Sequence, residues 1–254
     1  MKRIVNILWT GGLDSTCRIA ELSKFDVLVQ PYYVIDYTRG SIKEELNAIK
    51  DISEIIRKNS ETRCELRDII TIKLESIKED KEITDAWLVF KNKYQLGSQY
   101  DYLARLAKQE GLILEVGLES SSRSKATNAV KGECELVLTD LDGISEYQID
   151  KEQSSALAIL LFENLRLPSS LWNMTKLEEI EEMKRLHLDE IILKTWFCHT
   201  PIFGMPCGHC HPCQDALNEG LSFRVPITGF ILGGIRWYSK WVYYHILVLF
   251  SHLK

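Results

Sequence analysis

The sequence predicts an α/β fold with a parallel sheet, followed by a small cysteine-rich module near the C-terminus. Short apolar runs alternate with longer segments whose apolar residues recur at helical spacing, as the strands and crossover helices of a parallel sheet do. Four of the seven cysteines lie within residues 198–213, after the alternation ends near Leu193. We therefore expect one domain over residues 1–193 and a second module over residues 194–254.

The alternation also predicts the individual elements. Strands are expected at residues 3–9, 27–35, 112–118 and 157–167. Helices are expected within residues 13–25, 41–59 and 99–111, with Gly111 as a C-terminal stop for the last one. Strand, helix and strand in this order favour right-handed crossovers between parallel strands.

Composition narrows the kind of partner. The net charge is −5 and 45% of the residues are hydrophobic, whereas nucleic-acid binding relies on clustered Lys and Arg. A small-molecule partner is expected instead. The N-terminal apolar run lacks a cleavage site for a signal peptide, and the C-terminal run is shorter than the ~20 residues of a membrane span. These features predict a cytoplasmic protein that does not contact a membrane.

The stretch Leu-Trp-Thr-Gly-Gly-Leu-Asp-Ser-Thr joins the first expected strand to the first expected helix, a position where open α/β sheets bind ligands. Gly11 and Gly12 let the backbone approach an anion, and the helix N-terminus attracts negative charge. Thr10 and Ser15 add hydroxyl groups. Asp14 suits a helix N-cap or a Mg²⁺ ligand. The same residues also suit a plain strand-to-helix turn, so both interpretations stay open at this point.

The cysteines of the C-terminal module follow a Cys-x8-Cys-x2-Cys-x2-Cys pattern. Thiolates at these spacings predict a tetrahedral Zn²⁺ site, and four sulfur ligands leave no open position for a substrate, so a structural role is expected. The predicted ligands are Cys198, Cys207, Cys210 and Cys213. A redox Cys-x-x-Cys pair is the alternative. Neighbouring histidines offer replacements for one thiolate, namely His199, His209 and His211. The other cysteines are expected to be small buried residues, namely Cys17, Cys64 and Cys134.

Two motifs together carry a family resemblance. Residues 10–15 resemble the pyrophosphate-binding loop Ser-Gly-Gly-x-Asp-Ser of the N-type ATP pyrophosphatases, or PP-loop superfamily, with Thr10 in the first place. The loop combined with the cysteine spacing resembles the QueC-like 7-cyano-7-deazaguanine synthase family, over about residues 3–220. The resemblance implies a Rossmann-like core of the adenine-nucleotide alpha hydrolase type, with ATP, Mg²⁺ and Zn²⁺ bound.

The resemblance also implies a reaction. ATP activates a 7-carboxy-7-deazaguanine carboxylate as an adenylate, ammonia forms the amide, and a second ATP yields the nitrile, each ATP releasing AMP and pyrophosphate. Residues implied in cofactor binding are Thr10, Gly11, Gly12, Leu13, Asp14, Ser15 and Asp36. Catalytic roles are implied for Asp14, Ser15 and Lys176.

Smaller matches accompany the two motifs. The segment after the second strand keeps Asp36, Tyr37 and Glu44 of the family pattern, and Leu-Trp-Asn-Met-Thr-Lys-Leu-Glu-Glu keeps Trp172 and Lys176. From the residues alone, Thr175 and Glu178 predict a capping box at the head of a helix, which places Lys176 in its first turn.

Departures from the family pattern fall on the acceptor side. Gly97-Ser98-Gln99 stands where the family has Gly-Arg-Asn, and Thr38-Arg39-Gly40-Ser41 replaces Gly-Gln-Arg-His. Residues 119–129 replace the family's substrate loop, with Arg123 and Lys125 as candidate positive charges.

These departures leave the nucleophile open between ammonia and a protein amine, the latter as in QueC-like proteins of bacterial defence clusters. A non-catalytic nucleotide-binding relative is a further alternative, and a tRNA-modifying relative disagrees with the net acidity. The aromatic tail, residues 236–254, suits contact with a second copy and so predicts a homodimer.

Overall fold

The computed structural model describes residues 2–118 and 124–251, and the backbone alone over residues 240–251. Within these residues the chain forms eight strands in one sheet. The strands are β1 Ile4–Leu8, β2 Leu28–Ile35, β3 Glu65–Leu66, β4 Ile70–Lys73, β5 Leu114–Glu115, β6 Leu136–Leu141, β7 Ile144–Ile149 and β8 Leu165–Pro168. The helices are α1 Leu13–Leu22, α2 Ile42–Lys58, α3 Lys81–Tyr94, α4 Gln99–Glu110, α5 Lys125–Glu133, α6 Ala156–Phe162, α7 Ser169–Trp172, α8 Lys176–Arg185, α9 His211–Asn218 and α10 Ile227–Ser251.

The sheet is parallel over most of its width. Its order is β3-β2-β1-β5-β8-β7-β6, and β4 pairs with β2 further along the same strand. Neighbours from β3 to β8 run parallel, with Ile4 opposite Leu28 in the central pair, whereas β7 is antiparallel to both β6 and β8. The predicted α/β, Rossmann-like fold with a mostly parallel sheet is therefore confirmed, with an antiparallel hairpin added at one edge.

Most predicted elements are found at their predicted places. The strands β1 and β2 and the helices α1, α2 and α4 match the sequence pattern. Gly111 ends α4 in a left-handed conformation with φ 61°, as the stop signal predicted. The third predicted strand is shorter than expected, because β5 pairs over only two residues.

One predicted strand, residues 157–167, is wrong over its first half. The structure has the helix α6 there, and β8 begins only at Leu165. The Ser155 side chain accepts a hydrogen bond from the Ala158 amide at 3.2 Å, which caps the helix. Leucine and alanine fill this run, and both favour a helix when no alternation of polar residues imposes a strand.

The two faces of the sheet carry two apolar clusters. Side chains alternate along β1, so that Ile7 and Trp9 join the cluster with α1, α2 and α8, while Leu8 joins the cluster with α3, α4 and α6. Cys17 and Cys134 are buried in these clusters as predicted, and Cys64 is half-buried.

The first cluster also includes residues from the C-terminal part of the chain. Ala216 and Leu221 are buried in it, and Trp196 and Phe197 pack against it. Side chains on both sides of residue 193 therefore share one core, and the division of the chain at that residue stays a prediction. In the part of the chain that the structure describes, no helix has both the length and the apolar character to cross a membrane.

Candidate functional site

A cleft of about 440 Å³ opens at the carboxyl ends of β1 and β2. Loops after these strands form one wall, and the start of α8, residues 196–199 and α9 form the other. The residues that line it are Thr10, Gly12, Leu13, Asp14, Arg39, Glu45, Gln99, Lys176, Trp196, Phe197, His199, Pro212, Asp215, Ala216, Glu219, Leu221 and Arg224. The structure thus places the glycine loop where open parallel sheets bind ligands.

The loop between β1 and α1 has a backbone that only glycine adopts readily. Gly11 has φ 71°, and a Cβ at this position would lie 3.1 Å from the Glu45 carbonyl oxygen. Its own carbonyl accepts a hydrogen bond of 2.7 Å from the Trp196 amide. The loop is therefore fixed from two sides, by α2 and by the segment that leads to the cysteines.

Asp14 lies inside α1 and is not its N-cap. Gly12 is the N-cap residue, without a side-chain cap, so the N-cap interpretation of Asp14 is wrong. The Asp14 carboxylate forms an ion pair with the Lys176 ammonium in the cleft. A Mg²⁺ ion bound at this carboxylate would have to displace the ammonium, and the Mg²⁺ site stays a prediction.

Other predicted loop residues have different surroundings. Leu13 and Thr10 line the cleft, whereas Ser15 is 8% exposed and is not among the lining residues. Asp36 lies just beyond β2, and its Oδ1 accepts hydrogen bonds from the Thr38 amide at 2.9 Å and the Thr38 hydroxyl at 2.7 Å. Asp36 thus holds a local turn, and the nucleotide roles of Ser15 and Asp36 stay predictions.

Lys176 begins α8 directly after the predicted capping box, which is present. The Thr175 amide donates to Glu178 Oε2 at 2.7 Å, and the Glu178 amide donates to Thr175 Oγ1 at 3.4 Å. Lys176 Nζ also lies 3.8 Å from Oε1 of Glu179, a residue with no exposed surface. Burial lowers the pKa of Lys176, and the Glu179 charge opposes that shift. The lysine is therefore a desolvated cation beside the glycine loop.

The helix α2 contributes to the cleft a buried carboxylate that the sequence analysis missed, Glu45. Glu45 accepts hydrogen bonds from Arg39 at 2.5 Å, Ser41 Oγ at 2.6 Å and the Tyr33 hydroxyl at 2.8 Å. The family match had pointed to its neighbour Glu44, which is only half-buried. The helical spacing of α2 offered a signal, because position 45 is on the same buried face as Ala48.

The acceptor-side replacements are only partly in the cleft. Of the replacements, Arg39 and Gln99 line the cleft, and His199 lies beside them in the lining. Burial lowers the pKa of His199, and the nearby Arg39 charge lowers it further. Lys125 begins α5 and is not among the lining residues. Arg123, the other predicted positive charge, lies outside the described residues.

The four predicted zinc ligands form one cluster. All four sulfur atoms lie within 4.8 Å of one another, with Sγ–Sγ distances of 3.4 Å for Cys210–Cys213, 3.8 Å for Cys210–Cys198 and 4.0 Å for Cys207–Cys213. Tetrahedral Zn–S bonds of about 2.3 Å require sulfur atoms about 3.8 Å apart. The cluster could therefore hold a metal ion such as zinc.

Backbone amides support these sulfur atoms. The Cys207 amide donates to Cys198 Sγ at 3.2 Å, and the Cys210 amide donates to Cys207 Sγ at 3.3 Å. Such bonds stabilise thiolates, the form that binds metal. Two of the three neighbouring histidines have other partners, since His209 Nε2 lies 2.8 Å from the Phe230 carbonyl oxygen and His211 Nδ1 lies 2.7 Å from Asp215. The four-cysteine ligand set thus needs no histidine.

Comparisons with known proteins add little to this geometry. No protein-family model matches the chain, and a search of curated proteins finds no match. One solved structure that the chain is similar to is a 4-thiouridine synthetase–RNA complex with bound ATP, with 15% sequence identity and a TM-score of 0.37. The match covers 91% of this chain and 52% of the other, so the chain spans about half the length of that protein. A TM-score this low carries no argument about function, which rests on the cleft itself.

Proposed function

We propose that this protein is an ATP-dependent adenylating enzyme of the PP-loop superfamily and the QueC-like group. Its proposed substrate is a 7-carboxy-7-deazaguanine-type carboxylate. One ATP activates the carboxylate so that ammonia forms the amide, and a second ATP activates the amide oxygen, which leaves with AMP to give the nitrile. The observation that carries the proposal is the glycine loop, with Gly11 at φ 71°, at the carboxyl end of β1 beside the Asp14–Lys176 pair. The four-cysteine cluster supports it by matching the second family motif.

The proposed chemistry begins with attack of a carboxylate oxygen on the α-phosphorus of ATP. The bond from this phosphorus to the bridging oxygen breaks, and the β,γ-pyrophosphate leaves with the electron pair. Backbone N–H groups at Gly11 and Gly12 and the Lys176 ammonium would stabilise the leaving pyrophosphate. Ammonia then attacks the acyl carbon and AMP leaves.

The remaining residues would act by positioning rather than as nucleophiles. Thr10 and Leu13 shape the loop side of the cleft. Zinc, held by the four cysteines, would have a structural role, because four sulfur ligands fill its coordination sphere. Mg²⁺ would accompany ATP, as it does in phosphoryl-transfer sites generally.

A different amine acceptor is the first alternative. Arg39 and Gln99 line the cleft where the family has other residues, and either ammonia or a protein amine can attack an adenylate. A relative that binds nucleotide without cleaving it is the second candidate. The net charge of −5 argues against an RNA substrate.

The products of ATP test the proposal. The protein would be incubated with α-labelled ATP, Mg²⁺ and 7-carboxy-7-deazaguanine, with and without ammonium, and the nucleotide and base products identified by mass spectrometry. AMP with nitrile is the expected result, and AMP with amide alone would mean that the dehydration step is missing. An adenylate that persists until a protein amine is added would favour the conjugating alternative. ADP as the product would contradict the proposal.

Two variants test the roles assigned to the loop. Asp14→Asn and Ser15→Ala are expected to lower AMP formation at least about 100-fold while zinc content stays near the wild-type value. Only Asp14→Asn is also expected to keep the wild-type melting temperature, because Asp14 lines the cleft whereas Ser15 is buried. Asp26→Asn is the matched control, because this aspartate pairs with Lys2 on the surface, away from the cleft. Wild-type AMP formation by Asp14→Asn would mean that the loop is only a turn.

A further inference from the structure

Arg224 is a cleft residue that the sequence analysis did not find. It ends a short 3₁₀ helix, Ser222–Arg224, beyond the cysteine cluster. Its Nη2 donates hydrogen bonds to the Thr195 carbonyl oxygen at 3.1 Å and the Thr195 hydroxyl at 2.6 Å. The guanidinium carbon lies 4.4 Å from the centre of the Phe197 ring. The side chain is therefore held in place by hydrogen bonds from the edge of its guanidinium group to Thr195 and by contact of the group with the Phe197 ring.

The charge of Arg224 lacks the kind of partner that other partly buried arginines have. Arg18 pairs with Glu115 at 2.8 Å and Arg39 pairs with Glu45 at 2.5 Å. Among the residues that the structure describes, Arg224 makes its hydrogen bonds to neutral oxygens of Thr195. Burial lowers the pKa of Arg224 to about 10, and the Glu179 charge only partly offsets this shift. A desolvated cation with no carboxylate at ion-pair distance among the described residues favours an anionic ligand.

The position of Arg224 indicates which part of a ligand it would meet. Its anchor, Thr195, directly precedes Trp196, whose amide donates to the Gly11 carbonyl at 2.7 Å. Arg224 and Lys176 both line the cleft. Burial lowers the pKa of Lys176, and the Arg224 charge adds to the shift, so the two cations influence each other. The guanidinium thus lies in the same cleft as Lys176 and the glycine loop.

We propose that Arg224 binds a phosphate oxygen of the nucleotide, as a second cation beside Lys176, an assignment that rests on the proposed function and deepens it. Both hydrogen bonds to Thr195 use Nη2. Within the described part of the chain, no hydrogen bond occupies its Nε–H and Nη1 donors, which point in different directions, so a phosphate oxygen would accept a single N–H bond from one of them. A guanidinium held at Thr195 keeps this donor in a fixed direction, which a flexible ammonium does not.

Binding measurements test this assignment without turnover. Calorimetric Kd values would be determined for inorganic pyrophosphate, ATP and adenosine with the wild type, Arg224→Gln and Arg224→Lys. Arg224→Gln is expected to bind pyrophosphate and ATP about 10- to 100-fold more weakly, with adenosine affinity within about twofold of wild type. Arg224→Lys is expected to lose about 3- to 10-fold, because it keeps the charge and loses the donor that the hydrogen bonds to Thr195 hold in place.

Arg185→Gln is the matched control, since Arg185 pairs with Glu182 on an exposed helix face outside the cleft. Should Arg224→Gln fail to fold, judged by melting temperature and zinc content, the Arg224→Lys series decides. Wild-type pyrophosphate and ATP affinities in both variants would overturn the assignment and leave the proposed function intact. So would weaker binding of 7-carboxy-7-deazaguanine alone, since the ligand would then be its carboxylate. A wild type that binds neither ATP nor pyrophosphate would overturn both proposals.

Discussion

The cysteine cluster and the cleft are built in opposite ways. The cluster draws its four ligands from residues 198–213, so its geometry follows from local spacing and backbone N–H···S bonds. The cleft draws its polar side chains from segments far apart along the chain, including Asp14, Glu45, Lys176 and Arg224. A local site is specified by its own sequence, whereas the cleft depends on the whole sheet and its connections.

The two regions nevertheless adjoin, and Trp196 links them by hydrogen bonds. The Trp196 amide donates to the Gly11 carbonyl at 2.7 Å, and its indole Nε1 donates to the Cys198 carbonyl at 2.7 Å. Trp196 therefore joins the glycine loop to Cys198, the first predicted zinc ligand. If this link couples the two regions, loss of metal will weaken pyrophosphate binding in the cleft.

Loss of a zinc ligand is expected to have the largest effect. Cys207→Ser should lose most bound zinc and at least about 3 kcal/mol of unfolding free energy, which corresponds to a fall in melting temperature of about 6–12 °C. Through Trp196, pyrophosphate affinity should also fall. Metal analysis, thermal unfolding and calorimetry measure the three effects.

Cys64→Ser is the control for this variant, because Cys64 is half-buried and outside the cluster. It should keep its zinc and its pyrophosphate affinity. If Cys207→Ser loses zinc but binds pyrophosphate as the wild type does, the cluster and the cleft are independent regions. An iron–sulfur spectrum in anaerobic protein would show that the metal assignment is wrong.

The glycine loop offers a second test, with a matched position elsewhere. Gly11 and Gly111 both have positive φ, of 71° and 61°. A Cβ at Gly11 would lie 3.1 Å from the Glu45 carbonyl oxygen and 3.2 Å from Ala48 Cβ, whereas a Cβ at Gly111 would meet nothing within 4 Å. Gly111→Ala therefore measures the backbone cost alone, about 1 kcal/mol.

Gly11→Ala should cost a further 1–3 kcal/mol, roughly, because of overpacking, and it should weaken pyrophosphate binding. Urea unfolding and calorimetry on both variants give the comparison. Equal unfolding free energies for the two variants would show that α2 yields to the added methyl group, and that the loop is not fixed from this side.

The fold was predictable where the sequence pattern is periodic. The strands β1 and β2 and the helices α1, α2 and α4 followed from alternating apolar runs and amphipathic segments. The structure of residues 157–167 was not predictable in this way, because a run of apolar residues without alternation suits a buried helix as well as a strand. The hairpin of β6 and β7 carried an unused signal, because Asp142 and Gly143, with φ 57° and 78°, form the Asp-Gly turn typical of such hairpins.

The site was predictable where it is local. The glycine loop, the capping box before Lys176 and the cysteine cluster each lie within a short stretch, and the structure has the loop, the box and the cluster at those positions. Arg224 was missed because nothing near it in sequence marks it as a cleft residue, and for Glu45 the helical spacing indicates burial but not the cleft. Only the packing of α2, and of the 3₁₀ helix after the cysteines, brings them to the cleft.

The smallest expected effect concerns the titration of Lys176, a charged residue of the cleft. Burial lowers the pKa of this lysine below its usual 10.5. Between the lowered value and 10.5 the unfolded chain binds more protons at this residue than the folded chain does. Stability therefore rises with pH in this window, by at most about 1.4 kcal/mol per pH unit.

Phosphate binding should change in the opposite direction over the same window, because the ammonium that attracts pyrophosphate loses its proton. We expect the pyrophosphate affinity of the wild type to decline at a pH below 10.5, while the contribution of Lys176 to unfolding free energy increases. Lys176→Arg is the comparison, since a guanidinium keeps its proton to a higher pH than an ammonium in the same surroundings. Arg224, whose pKa burial lowers to about 10, is present in both proteins. The difference between the wild type and Lys176→Arg would be followed from pH 7 to 10.5. Relative to the variant, the pyrophosphate affinity of the wild type should fall, as measured by calorimetry, and its unfolding free energy should rise, as measured by urea unfolding. Parallel profiles would mean that Lys176 keeps its proton throughout, and that its charge is set by Asp14 and Glu179 rather than by burial.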